Sequence, residues 1–156
     1  SAGSGANRME AYLLALGRIK SKAVVPALAD KIRMLAADEK PSNTSFRIVS
    51  LVCPMIGDAA LAQPLAELLS RPNMSGHAIK MGAEIPPVPG YDSRSSYSQK
   101  EKNEAPREVN LAAALYRLGD MDGKGEAILR AYAEDPRGFY ANYARKVLAE
   151  KPVAPR

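Results

Sequence analysis

A short phrase recurs wherever an apolar stripe ends, and it constrains the fold more than any other feature: Leu16-Gly17, Ile56-Gly57-Asp58 and Leu118-Gly119-Asp120. Each phrase closes a run with apolar residues at helical spacing, and each is followed by a turn and a second such run. Glycine has a physical reason to stand there, because helices commonly end on a left-handed residue that only glycine adopts cheaply. From Gly17 to Gly57 the step is 40 positions, inside the period of helix-pair repeats. From Gly57 to Gly119 it is 62, one such repeat plus an irregular insert of about 22 residues. A helix pair leaves one apolar face bare, and a stacked neighbour covers it. The chain is therefore expected to be all-α.

Asn7, with Glu10 three places on, is a capping-box variant that predicts the start of the first helix. Met9, Tyr12, Leu13, Leu16 and Ile19 supply its apolar side. The second helix begins about Ala23, with Pro26 in the first turn, where a missing N–H does no harm. Its stripe is Val25, Leu28, Ile32 and Leu35. Thr44 or Asn43 caps a third helix with the stripe Ile48, Val52, Met55 and Ile56. Asp58 caps a fourth, carried by Leu61, Leu65, Leu68 and Leu69. Pro54 and Pro64 predict a kink, or a later start of the fourth helix.

The rhythm stops from Asn73 to Ala105. Pro86-Pro87-Val88-Pro89-Gly90 forbids helix, and Ser93 to Lys102 is polar. An insert over about 73–105 is a functional or disordered loop, or it holds a short helix around Ser75 to Met81. Helix resumes from Glu108 to Leu118, with Val109, Ala112, Ala113, Leu115 and Tyr116 on its apolar face. Ala127, Ile128, Ala131 and Tyr132 mark the next helix. Asp135-Pro136 reads as a cap and first-turn proline for the last, which carries Phe139, Tyr140, Tyr143, Val147 and Leu148. Residues 1–6 read as a linker, an expression remnant or a cut point, 7–150 as one helical domain, and 151–156 as a tail. The native chain is then free to extend beyond Ser1, and its compartment is open.

The residues for chemistry are sparse. Cys53 is the one cysteine, so no intrachain disulfide forms, and its place in an apolar run predicts a packed, inert thiol. One cysteine and one histidine, His77, do not make a Cys/His zinc site. His77 lies in the insert with no partner in sequence and reads as an exposed loop residue. Asp120 and Asp122 lack the ligand set of a calcium loop and read as turn and cap residues. Net charge is +5, but the cations are offset by acids, as Lys20, Lys22 and Lys31 are by Asp30, Asp38 and Glu39. That pattern argues against a nucleic-acid face, and no apolar run is long enough for a membrane span. We therefore expect no catalytic residue, cofactor or metal, and a protein as the partner.

Two places could contact it. In the insert, Tyr91, Arg94 and Tyr97 stand among serines, as a flexible surface loop or as an arm that orders on a partner. In the last helix the aromatic residues sit at core spacing, yet Arg137 and Arg145 flank Tyr140, which allows a mixed aromatic and basic groove.

Leu16-Gly17, followed by Ala23-Val24-Val25-Pro26-Ala27-Leu28, resembles the repeat of phycobilisome-lyase-type HEAT-like proteins. There a Leu-Gly turn precedes a Val-Pro-x-Leu helix; residues 57 to 65 match it more weakly, and the likeness covers about half the chain. It implies an α-α superhelix, a right-handed solenoid of about three antiparallel helix hairpins with a C-terminal capping helix. The phrase marks a fold, not an activity. A second stretch, Ala114-Leu115-Tyr116-Arg117-Leu118-Gly119-Asp120 through Tyr143-Ala144-Arg145, is similar to the helical C-terminal region of certain bacterial FAD-dependent oxidoreductases. In those proteins the flavin sits in a separate Rossmann-type domain, and this chain has no Gly-x-Gly-x-x-Gly after a strand. The resemblance thus implies a non-catalytic accessory domain that does not bind FAD on its own. The alternatives are a free-standing HEAT-like protein gripping one protein partner and, third, a HEAT-like lyase or nucleic-acid-binding protein.

Overall fold

The structure, a computed structural model, describes residues 3–38, 42–80, 82 and 97–150. Among these residues the chain is all-α, with seven α-helices and no strand. In order they are α1 (Gly3–Arg18), α2 (Val25–Ala37), α3 (Asn43–Ile56), α4 (Ala62–Leu69), α5 (Tyr97–Arg117), α6 (Lys124–Ala133) and α7 (Gly138–Ala149). Short 3-10 turns at Lys22–Val24 and Ala59–Leu61 lead into α2 and α4. No described helix is long and apolar enough to cross a membrane.

Proline and cap chemistry set most of the boundaries. Pro26 stands at the start of α2, as expected. Asp58 accepts the Ala60 N–H at 3.0 Å and starts the 3-10 turn, so α4 begins late, with Pro64 in its first turn. Pro54 falls in the last turn of α3, and the left-handed Gly57 (φ 67°) ends that helix. Helix α5 ends in a Schellman arrangement: Gly119 (φ 99°) donates to Tyr116 O and Asp120 to Leu115 O. At α1 the cap is not Gly17 but Lys20 (φ 52°), which donates to Gly17 O while Ser21 donates to Leu16 O. Gly17 is instead a packing residue inside α1: a Cβ there would lie 3.2 Å from Val52 Cγ1 and 3.3 Å from Met55 Sδ on α3.

Several expected starts move. Helix α1 runs from Gly3, so Asn7 is inside it and the supposed linker is helical from its third residue. The residue before α3 is Ser42, which makes no side-chain cap bond, and Asn43 is the first helical residue. Helix α5 begins at Tyr97, well before Glu108, and holds Pro106 inside it. No helix forms at 75–80: the left-handed Gly76 (φ 93°) breaks the spiral, and backbone N–H groups there go to carboxylates instead.

The close packings run α1 on α3, α3 on α5, α2 on α3 and α4, α4 on α5, α5 on α6, and α6 on α7. Helix α5 is buried all round from Leu111 to Tyr116 and divides two cores. Leu111, Ala114, Leu115 and Leu118 join the larger core of α1 to α4. Ala105, Val109, Ala112, Ala113 and Tyr116 face α6 and α7. Small side chains let those helices come close, and Gly125 is the tightest point. A Cβ there would meet Ala112 O at 2.9 Å and Tyr116 N at 3.0 Å.

Candidate functional site

Two buried carboxylates organise a polar region among the described residues. Glu108 points from α5, and Asp135 closes the α6–α7 turn; both are almost wholly shielded from water. Glu108 accepts the N–H groups of Gly76 and His77 and the Tyr132 hydroxyl, each at 2.8 Å. Asp135 accepts the N–H groups of Ile79 and Arg137 at 2.8 Å, and it pairs with the Arg137 guanidinium at 2.7 Å. Arg137 also donates to His77 O at 2.9 Å. The strand-less segment 73–80 is thereby strapped onto α5, α6 and the start of α7. Its backbone groups find the partners that a helix would otherwise have given them.

The electrostatics agree with a saturated clasp. Burial would raise the Asp135 carboxyl, but the Arg137 hydrogen bonds and the backbone N–H groups outweigh it and hold the acid below the ordinary carboxylate value. Burial, reinforced by the Glu108 carboxylate, pushes the Tyr132 hydroxyl well above its usual value. Asp135 therefore caps no helix. Its first oxygen serves the Arg137 N–H, which is why α7 starts later than Asp135-Pro136 suggested.

His77 is not the exposed loop residue expected. Its ring is half-buried, with Nε2 2.9 Å from Asn73 O and Nδ1 3.5 Å from Glu104. Cys53 is fully buried in the larger core, and burial pushes its thiol up to about 12, which makes it a poor nucleophile. Asp120 (φ 63°) caps α6: its carboxylate accepts the N–H groups of Gly125 at 2.7 Å and Glu126 at 2.8 Å. Among the described residues no three His, Cys, Asp or Glu side chains are placed to hold a metal ion together.

The expected contact residues fall into two sets. Tyr91 and Arg94 lie outside the described residues, and Tyr97 is the first residue of α5. Arg137, Tyr140 and Arg145 do come together around α7, but they are bound into the fold. The Arg137 guanidinium lies 4.7 Å from the Tyr140 ring centre, Tyr140 meets Tyr132 edge-on, and Arg145 donates to Ala133 O at 2.6 Å. The core assignment of the aromatic residues holds for Tyr132 and fails for Phe139, which is 81% exposed. The buried stripe of α7 is Ala141, Ala144 and Val147, and Phe139 falls on the far side. Other apolar side chains expected inside are also exposed: Tyr12 on α1, Ile19 in the turn that follows it, and Met55 on α3, where Leu51 joins it. Comparison of the chain with protein-family models, with curated proteins and with solved structures gives no match.

Proposed function

We propose that this chain is a non-catalytic helical-repeat module that works by presenting its surface to another protein. In this reading α1/α2, α3/α4 and α5/α6 are three HEAT-like units of a right-handed α-α superhelix, and α7 caps its end. Support comes from the row α1–α3–α5 lying beside α2–α4, and from the left-handed residue that ends the first helix of each unit, at Lys20, Gly57 and Gly119. The observation that carries the contact role is the set of large apolar side chains that α1, the turn after it and α3 leave exposed. Tyr12, Ile19, Leu51 and Met55 leave large apolar groups in water, at 62, 71, 44 and 38% exposure. The buried acids and their arginine are spent on internal bonds, which fits a scaffold better than an acid–base site. The reading covers a module joined to a catalytic domain, such as an FAD-dependent oxidoreductase, and a free-standing one.

Site-specific photocrosslinking in the source cells tests it. A crosslinking residue in place of Leu51 or Ile19 is expected to trap one discrete protein band, and the same residue at the exposed Glu134 is not. Equal crosslinking at all three positions, or none at Leu51 and Ile19, overturns the reading.

A further inference from the structure

Between α3 and α5 lies a groove of about 200 Å³ whose walls are two matching side-chain stripes. Asn43, Phe46, Arg47 and Ser50 come from α3, and Asn103, Pro106, Arg107 and Asn110 from α5. Both sets follow the spacing i, i+3, i+4, i+7, one face of a helix. The two segments, Asn43 to Leu51 and Asn103 to Leu111, also share Asn, Arg, Val and Leu at the same places. The groove is thus one stripe used twice.

Its charge is one-sided: two arginines and no acid line it. Other half-buried arginines here have carboxylates, Arg117 with Glu150 at 2.7 Å and Arg137 with Asp135 at 2.7 Å. Arg107 has none. It donates through Nε to Asn43 Oδ1 at 2.6 Å and through a second nitrogen to the same oxygen, and its guanidinium lies 4.8 Å from the Phe46 ring centre. Burial lowers the Arg107 pKa, and Glu104 only partly restores it. Glu104 itself is beside His77. Asn43 passes its own amide to Asn103 Oδ1 at 2.8 Å, which leaves the Asn103 NH2 without a partner among the described residues. The Arg47 guanidinium and the Asn110 amide are likewise without one, and the buried Ser50 hydroxyl makes no hydrogen bond. The groove therefore gathers N–H and O–H donors around two positive charges, with no carboxylate in its lining. Of these only the Ser50 hydroxyl is buried and unpaired, which costs free energy, and an oxyanion entering the groove satisfies several of the donors together.

We propose that the α3–α5 groove is a binding site for an oxyanion group, a carboxylate or a phosphate, gripped by Arg47 and Arg107 and oriented by Asn103, Asn110 and Ser50. This goes beyond the protein-contact reading and stands without it, since a small anion tests it with no partner present.

The test is an amide and side-chain NMR titration of the whole chain with inorganic phosphate and, separately, with glutarate, against chloride at equal ionic strength. Saturable shifts confined to Asn43–Arg47 and to the Asn103 and Asn110 side chains are expected. Tighter phosphate binding marks a phosphate source for the ligand, and tighter glutarate binding a carboxylate source. Arg47 is exposed, so R47Q is expected to keep the fold and weaken binding roughly five- to tenfold. N103D, which puts a carboxylate beside Arg107, is expected to abolish it. Shifts that match chloride or spread over all basic residues overturn the proposal, as does unchanged affinity in both variants.

Discussion

Replacing Glu108 by alanine removes the acceptor on which three donors converge, and the structure sets the size of the loss. Gly76 N, His77 N and the Tyr132 hydroxyl all sit 2.8 Å from its oxygens. Tyr132 is fully buried, so its hydroxyl bears the full cost of an unmade bond, about 1–3 kcal/mol. Its second contact, to Ala105 O at 3.4 Å, is too long to compensate. Gly76 is exposed and His77 half-buried, so water recovers part of their loss. E108A is therefore expected to lose about 3 kcal/mol in urea unfolding. Y132F removes a donor but leaves Glu108 its two backbone partners, and is expected to lose about 1 kcal/mol. The double variant should fall short of the sum, because both changes break one shared bond. Hydrogen exchange supplies the local readout: the Gly76 and His77 amides should exchange faster in E108A and stay near wild type in Y132F. If E108A costs no more than Y132F, or those two amides keep their protection, the strap account is wrong.

Two glycines give opposite expectations for one substitution. G125A puts a Cβ against the Ala112 carbonyl and the Tyr116 N–H of α5, backbone that cannot swing aside, so overpacking of about 1–3 kcal/mol exceeds the helix-propensity gain of about 1 kcal/mol. G17A meets only the side chains of Val52 and Met55 and should be near neutral, so equal melting temperatures for the two variants would refute this packing. Acid should loosen the clasp, since the folded Asp135 carboxyl is held below its ordinary value. Its contribution is complete above the unfolded value, about 3.9, and is lost as pH falls through the lower folded value. The melting temperature of D135N should thus lie below wild type at pH 7 and approach it in acid; a gap that does not change with pH refutes the assignment.

The helices were legible because their cores follow simple periods. Leu28, Ile32 and Leu35, and Leu61, Leu65, Leu68 and Leu69, are buried as their spacing required. What failed were inferences drawn from one residue type at one position. Gly17 resembles a cap in sequence, but the left-handed residue is Lys20, so the cap-to-cap step to Gly57 is 37, not 40. The cost of a left-handed lysine is about 1–2 kcal/mol, which a Schellman end and the packing of α1 on α3 can offset. Glycine at position 17 answers a different need, close approach between helices, and that need is visible only once α3 is in place.

The polar sites were illegible for a related reason: their members are far apart in sequence and lack a local pattern. Glu108 and Gly76 are 32 positions apart, and Asp135 and Ile79 are 56. Even so, one signal was present. Asn, Arg, Val and Leu recur in the same order in Asn43–Leu51 and Asn103–Leu111. The matching valines follow from packing, since Val49 and Val109 are both buried, whereas Leu111 is buried and Leu51 is exposed. The asparagines and arginines do not follow from packing, since they face the groove and Arg107 is half-buried with no acid beside it in that groove. A polar stripe held at the same register on α3 and α5, with Arg107 carrying a cost in desolvation, is the kind of feature that packing alone does not explain, and it directs the search for function to the seam between α3 and α5.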